Sequence, residues 1–216
     1  MKSIVKVMLT AGAVMFVLIS SMAARDKMDV IKIDKGDLFE TRPDDVVKCS
    51  LSKEHAAKGS MFTNKIEGPA EPLTDPAQID AAGKGGTFKY KLTSRKDWSE
   101  YDLLKFTIFN PSDKPISCTV AIWDDEAKAK SAYGNYYSKG YTFQPGLMEY
   151  EIDIIGIAAR HGRAMNTKSM EVIAFYDLQP CPWTVFISNV HLAKEGDDSK
   201  DKKESKKEEP KKKEKK

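Results

Sequence analysis

The sequence predicts an all-β protein, an antiparallel β-sandwich with short helical turns. Three observations carry that expectation. Apolar and polar residues alternate with a period of two through several short stretches. Turns rich in Pro, Gly and Asp join those stretches. The long amphipathic helices that a parallel α/β sheet places between its strands are missing. Strands apolar on one side must bury that side against a second sheet, and that gives a sandwich.

Each element follows in order. The alternation in "MDVIKID" (28–34) is a first strand or a leader to the domain. In "DDVVKCSLS" (44–52), Val47, Cys49 and Leu51 share a strand face. "SKEHAAKGS" (52–60) reads as a helical turn capped by Ser52 and stopped by Gly59, and "SMFTNKI" (60–66) as the next strand. Residues 67–86 hold three prolines and several glycines, so a loop is expected there. "TFKYKL" sets Phe88, Tyr90 and Leu92 against Thr87, Lys89 and Lys91. "LLKFTIF" aligns Leu104, Phe106 and Ile108. A turn with Pro111 and Pro115 leads to "ISCTVAIW", where Ile116, Cys118, Val120 and Ile122 align. A polar, aromatic loop is expected over 124–139. "PGLMEYEIDI" then alternates Met148, Tyr150, Ile152 and Ile154 with acids. "IGIAARHG" (155–162) reads as a short helix, and "MEVIAFYDL" and "WTVFISNVHL" as the last two of eight or nine strands.

The two ends differ from the body. Residues 1–24 join basic Lys2 and Lys6 to the apolar run Val7–Ile19 and the small residues Ser21 and Ala23, the pattern of a signal peptide. The run is shorter than the ~20 residues of a membrane-spanning helix, so the mature form is expected in the periplasm or outside the cell, without a transmembrane segment. Residues 25–37 form a leader and 38–193 the domain. Residues 194–216 carry eleven Lys, eight acids and no large apolar residue. Such a segment cannot bury enough surface to offset chain entropy, so it is expected to be disordered, either a solvated tail or a tether to an anionic envelope polymer. Two basic residues in 1–24 and eleven in the tail leave the body 22 of 35, against 24 of 32 acids. The body is near neutral, and a nucleic-acid partner is not expected. The spacing of Cys49, Cys118 and Cys181 matches no metal motif. Cys118 reads as a buried thiol, and a Cys49–Cys181 bridge stays open as an alternative.

The run "DWSEYDLLKFTIFNPSDKPISCTVAIWD" (97–124) resembles carbohydrate-binding-module-like jelly rolls of the galactose-binding-domain type. These share a "W-x-x-Y/F-D-x-L" entry, an "N-x-S-x-x-P" turn and a second strand ending in Asp. "LSKEHAAKGSMFTNKI", "FQPGLMEYEIDI" and "MEVIAFYD…WTVFISNVHL" are similar to further segments of that pattern, in the same order, and the likeness spans residues 38–193. It implies a jelly-roll sandwich, found beside glycosidases or alone in exported proteins. It also implies a structural calcium between Glu40 and Asn189. Asn189 stands where the last strand often has Asp, and one carboxylate fewer weakens calcium binding. No other cofactor is expected.

No enzyme constellation appears. His55, His161 and His191 lack companions at metal-ligand spacing. Asp124, Asp125 and Glu126 are adjacent on the chain, whereas a glycosidase holds two carboxyls opposite each other across a cleft. The aromatic residues are the candidate ligand set. Trp123 shares a face with Ser117 and Thr119, and Phe109 is expected on the corresponding face of the preceding strand. Tyr133, Asn135, Tyr136, Tyr137 and Tyr141 follow in the next loop beside Asp124. Rings with polar neighbours suit stacking on the apolar face of a sugar; the alternative is a second core layer under that loop. Trp98, Tyr101 and Trp183 read as packing. The expected partner is a glycan or envelope polymer. A protein partner, with the domain as a structural or adaptor protein of the envelope, is the first alternative, and a hydrolase with two acids facing each other across a cleft is the second.

Overall fold

Eleven strands and two short helices make up the described part of the chain. The structure is a computed structural model, and it describes residues 27–31, 39–42, 46–51, 64–130 and 134–195, with the backbone alone for residues 40–42 and 51. The signal peptide (1–24), most of the leader, the helical turn at 52–60, Tyr133 and the tail beyond Glu195 lie outside the described residues.

The strands form two antiparallel sheets. The first contains β1 (Lys27–Asp29), β3 (Lys48–Leu51), β4 (Asn64–Glu67), β6 (Leu103–Asn110), β9 (Gly146–Asp153) and β11 (Thr184–Ala193), in the order β3-β4-β11-β6-β9, with β1 also on β11. The second contains β2 (Glu40–Arg42), β5 (Thr87–Lys91), β7 (Ile116–Asp124), β8 (Tyr137–Phe143) and β10 (Met170–Gln179), in the order β2-β5-β10-β7-β8. The predicted alternation fixes the inward faces. Leu104, Phe106 and Ile108 pair with Ile152, Tyr150 and Met148. Ile122 and Val120 pair with Ile173 and Phe175, which pair in turn with Tyr90 and Phe88. Between the sheets, Phe175 stacks on Phe88 at 4.6 Å and meets Phe106 of the other sheet edge-on at 5.6 Å. Trp98 and Trp183 are buried, and their indole N–H groups donate to Arg95 O and Gly85 O. Gly68 has no room for a side chain, because a Cβ there would lie 2.1 Å from the Trp183 ring.

Four elements differ from expectation, each for a physical reason. The 67–86 loop contains helix α1 (Pro76–Ala82). Asp75 caps it by accepting from the N–H groups of Ala77 and Gln78, while Pro76 occupies a first-turn position whose missing N–H would have no helical partner. The 124–139 loop contains helix α2 (Asp125–Lys130) and the start of β8, an edge strand whose Gly140 and polar residues mask its alternation. The predicted helix at 155–162 is a chain of turns closed by an Ala158–Ala164 bridge. Finally, β6 and β7 are not a hairpin. The Pro111–Pro115 turn carries the chain from one sheet to the other. Asn110, 1% exposed, holds that arch: its Nδ2 donates to Lys114 O (2.8 Å) and Phe143 O (3.0 Å), and its Oδ1 accepts from the N–H and hydroxyl of Ser112.

Candidate functional site

The arch at Asn110 separates the candidate residues. Trp123 lies on the outer face of the five-stranded sheet. Phe109 lies on the outer face of the other sheet, where it meets Phe186 at 5.9 Å. The two rings therefore do not form one wall. Tyr137 and Tyr141 point inward, paired with Ile122 and Cys118. Their hydroxyls are 3.3 Å apart, and Tyr141 meets Tyr150 edge-on. Burial raises both phenol pKa values above the ordinary range. The Tyr137–Tyr141 hydroxyl contact partly offsets the rise for Tyr137 and adds to it for Tyr141. These two tyrosines seal the mouth of the sandwich.

Trp123 and Tyr136 do come together. Their centroids are 5.5 Å apart with the planes tilted by 32°. The register places Trp123 beside Val172, and Val172 beside Lys91. The next row is Ser138, Ala121, Ala174 and Lys89, followed by Gly140, Thr119, Tyr176 and Thr87. A band of small side chains thus separates the Tyr136–Trp123 pair from Tyr176, with the two rows about 13 Å apart along the strands. Val172, Ala121 and Ala174 are buried, while Trp123, Tyr136, Tyr176 and Lys89 are half-buried around them. The Trp123 indole Nε1–H is itself buried and has no acceptor among the described residues. Most buried donors have a partner, and one left unmatched destabilises by about 1–3 kcal/mol.

Asp124 is buried in an internal network, and half-buried Asn135 is tied into it. Asp124 is 0% exposed. Its Oδ1 accepts from Ala127 N–H and Arg163 Nη2, both at 2.9 Å, and its Oδ2 from Arg163 Nη1 and Asn166 N–H, both at 2.8 Å. Arg163 Nε donates to Asn135 Oδ1 (2.8 Å), and its two Nη groups also reach Ala164 O and Asn135 O. All five guanidinium donors are thus used, and Asp124 has two bonds to each oxygen. Burial raises the Asp124 carboxyl, but the bonds from Arg163, Asn166 and Ala127 outweigh it and hold the carboxyl below its ordinary range. This hub ties the end of β7 to the 134–136 and 159–166 segments. Arg160 N–H and His161 N–H add backbone bonds to Tyr136 O and Gly134 O, so the Tyr136 backbone is clamped beside Trp123. Arg163 has no local signal in the sequence, since it lies 39 residues from Asp124.

The implied calcium pair is divided in sequence and in sheet. Glu40 lies in β2, with only its backbone described. Asn189 lies at an irregularity of β11 with φ 50°, and its carbonyl faces His191 Nδ1 at 2.7 Å. No group of three or more His, Cys, Asp or Glu that could hold a metal occurs among the described residues. Cys49, Cys118 and Cys181 are free thiols. No helix among the described residues is long and apolar enough to cross a membrane.

No family model matches the chain, and no curated protein matches it. Solved structures do. The chain superposes on the agarase AgWH50C with a TM-score of 0.55 and 11% identity, over 79% of this chain and 25% of the agarase. It superposes on the family 11 carbohydrate-binding module of the cellulosomal cellulase Lic26A-Cel5E of Clostridium thermocellum with a TM-score of 0.51 and 13% identity, over 80% of this chain and 96% of the module. An exo-β-agarase gives 0.51 at 10% identity, over 74% and 24%. The chain therefore spans about a quarter of each agarase and nearly the whole of the binding module. The two antiparallel sheets and the superposition agree: the chain has a jelly-roll fold like that of carbohydrate-binding modules.

Proposed function

We propose that this is an exported, non-catalytic binding module that takes a glycan on the outer face of its five-stranded sheet. Trp123 and Tyr136 are the stacking platform, with Tyr176 across the band of small residues. The observation that carries the reading is the pair itself: half-buried Trp123 and Tyr136 rings, 5.5 Å apart, on the outer face of the sheet beside a band of small side chains. A sugar on the platform would give the exposed part of the ring a stacking partner. Thr119, Ser138 and Lys89 lie within the same rows to receive hydroxyls. Asp124, the carboxylate at the end of that strand, has its oxygens filled by internal donors, which supports recognition over hydrolysis. The signal-peptide pattern of residues 1–24 supports export.

The test is retention in native gels containing agarose, a soluble β-glucan or solubilised peptidoglycan, agarose being suggested by the agarase neighbours. Trp123→Phe keeps an aromatic ring and removes the N–H. It is expected to unfold within about 1 kcal/mol of the parent, because relief of an unmatched donor offsets lost contact area, and to lose most of the retention. A Trp123→Phe protein that unfolds readily, or one that is retained like the parent, contradicts the assignment.

A further inference from the structure

The large apolar side chains exposed among the described residues are Leu147 (54%), Met148 (41%) and Ile155 (63%), and all three lie on β9 or just past its end. Among the described residues, β9 is the edge of its sheet. Ile154 N–H donates to Asp102 O, and the register continues Leu103–Asp153, Leu104–Ile152 and onward to Asn110–Gly146. Bonded and non-bonded pairs alternate in an antiparallel ladder. Met148, Tyr150 and Ile152 therefore bond to β6, and the N–H and C=O groups of Leu147, Glu149, Glu151 and Asp153 point away from the sheet. Sheet edges are commonly blunted by bulges, Pro, short length or charged side chains, and the carboxylates of Glu149, Glu151 and Asp153 are the device β9 carries. β9 has eight residues in unbroken register and no Pro. The other sheet's edge at this end, β8, carries Lys139 and Gly140 and no large exposed aliphatic residue.

We propose that the β9 edge is a docking site for an extended basic segment of a partner protein, which adds to the sheet as a further strand. The inference is independent of the glycan platform, which is on the other sheet. Charge selects the occupant. Glu149, Glu151 and Asp153 are exposed and share one side of β9 with Leu147, and buried Lys105 on β6 bonds Glu151 at 2.9 Å. A second copy pairing edge to edge would set carboxylates about 5 Å from carboxylates, which is destabilising. A partner strand with Lys or Arg at alternate positions would meet opposite charge there. Its intervening residues would face Met148 and Tyr150 at the mouth of the sandwich, where Tyr150 donates to Thr142 O. The required pattern is thus alternating basic and apolar, in the mode of strand addition. The chain's own tail lacks the apolar positions.

The test uses the full chain and a fluorescent decapeptide of alternating lysine and valine, read by anisotropy and by amide shifts. Binding with shifts centred on residues 147–153 is expected, and at least tenfold weaker binding of the glutamate–valine counterpart. A lysine–valine peptide of equal charge interrupted by proline is also expected to bind at least tenfold more weakly, since it cannot complete the backbone ladder. Glu149→Pro removes an outward N–H and the 3.9 Å Lys105–Glu149 ion pair while leaving the backbone bonds to β6 in place, and should weaken the first peptide tenfold or more. Glu149→Lys, which needs no backbone change, should narrow the preference for lysine over glutamate. Equal binding of the proline-interrupted peptide, unchanged affinity in both variants, absence of binding, or self-association through β9 would each overturn the proposal.

Discussion

Arg163→Met is expected to lower the free energy of unfolding by about 3–5 kcal/mol. The substitution leaves Asp124 buried as a charge with two of its four bonds gone, and breaking a buried pair from one side is the costly case. The same change removes the donors to Asn135 that hold the 134–136 segment beside Trp123. Urea midpoints at pH 7 measure the first effect, and loss of near-ultraviolet dichroism from the Trp123–Tyr136 pair reports the second. Arg163→Lys should fall between, because a single ammonium cannot reproduce the planar fork. Acid adds a further check. Burial raises Glu171, but its bonds to Lys128 and Lys96 hold it below the ordinary carboxylate range, as the hub does for Asp124. Carboxyls lowered in the native state contribute fully above the unfolded value near 4, and lose that contribution as pH falls through the native values. Stability should therefore decline below about pH 4, and decline less in Arg163→Met.

Phe175→Ala is the second large effect, about 3–5 kcal/mol. Phe175 is 1% exposed, stacks on Phe88, and meets Phe106 and Phe39 edge-on. It joins the two sheets at their centre, so its removal costs transfer energy and leaves a cavity that neither sheet can close alone. A shift in urea midpoint with an unchanged denaturant slope would confirm local loss of packing. A change below 1 kcal/mol would mean that the centre of the sandwich lies elsewhere.

The parts of the fold legible in the sequence are those where one strand's pattern decides the outcome. Leu104, Phe106 and Ile108, or Ile116 through Ile122, alternate because one side is buried and the other is not. Sheet membership is different. The turn between β6 and β7 looks the same whether the chain folds back beside itself or arches across the core, and the choice depends on Asn110 reaching Phe143 O, 33 residues away. That one ambiguity is why the strand pattern alone sets Phe109 beside Trp123. The inward turn of Tyr137 and Tyr141 was hidden for a related reason: in an edge strand interrupted by Gly140, aromatic residues look like loop residues. Asp124 was visible as a polar residue next to Trp123. Its role was not, because the partner that fills it comes from a segment with no pattern of its own.

The most direct measurement of the central claim is the indole N–H region of an amide correlation spectrum during titration with whichever polysaccharide is retained in the gels. Three indole signals are expected, from Trp98, Trp123 and Trp183. Those of Trp98 and Trp183 are bonded inside the fold and should stay fixed. The account predicts that the Trp123 signal moves with saturation, together with amides of Thr119, Tyr136 and Tyr176. Saturable shifts confined to the β6, β9 and β11 sheet, with the Trp123 indole unmoved, would contradict it.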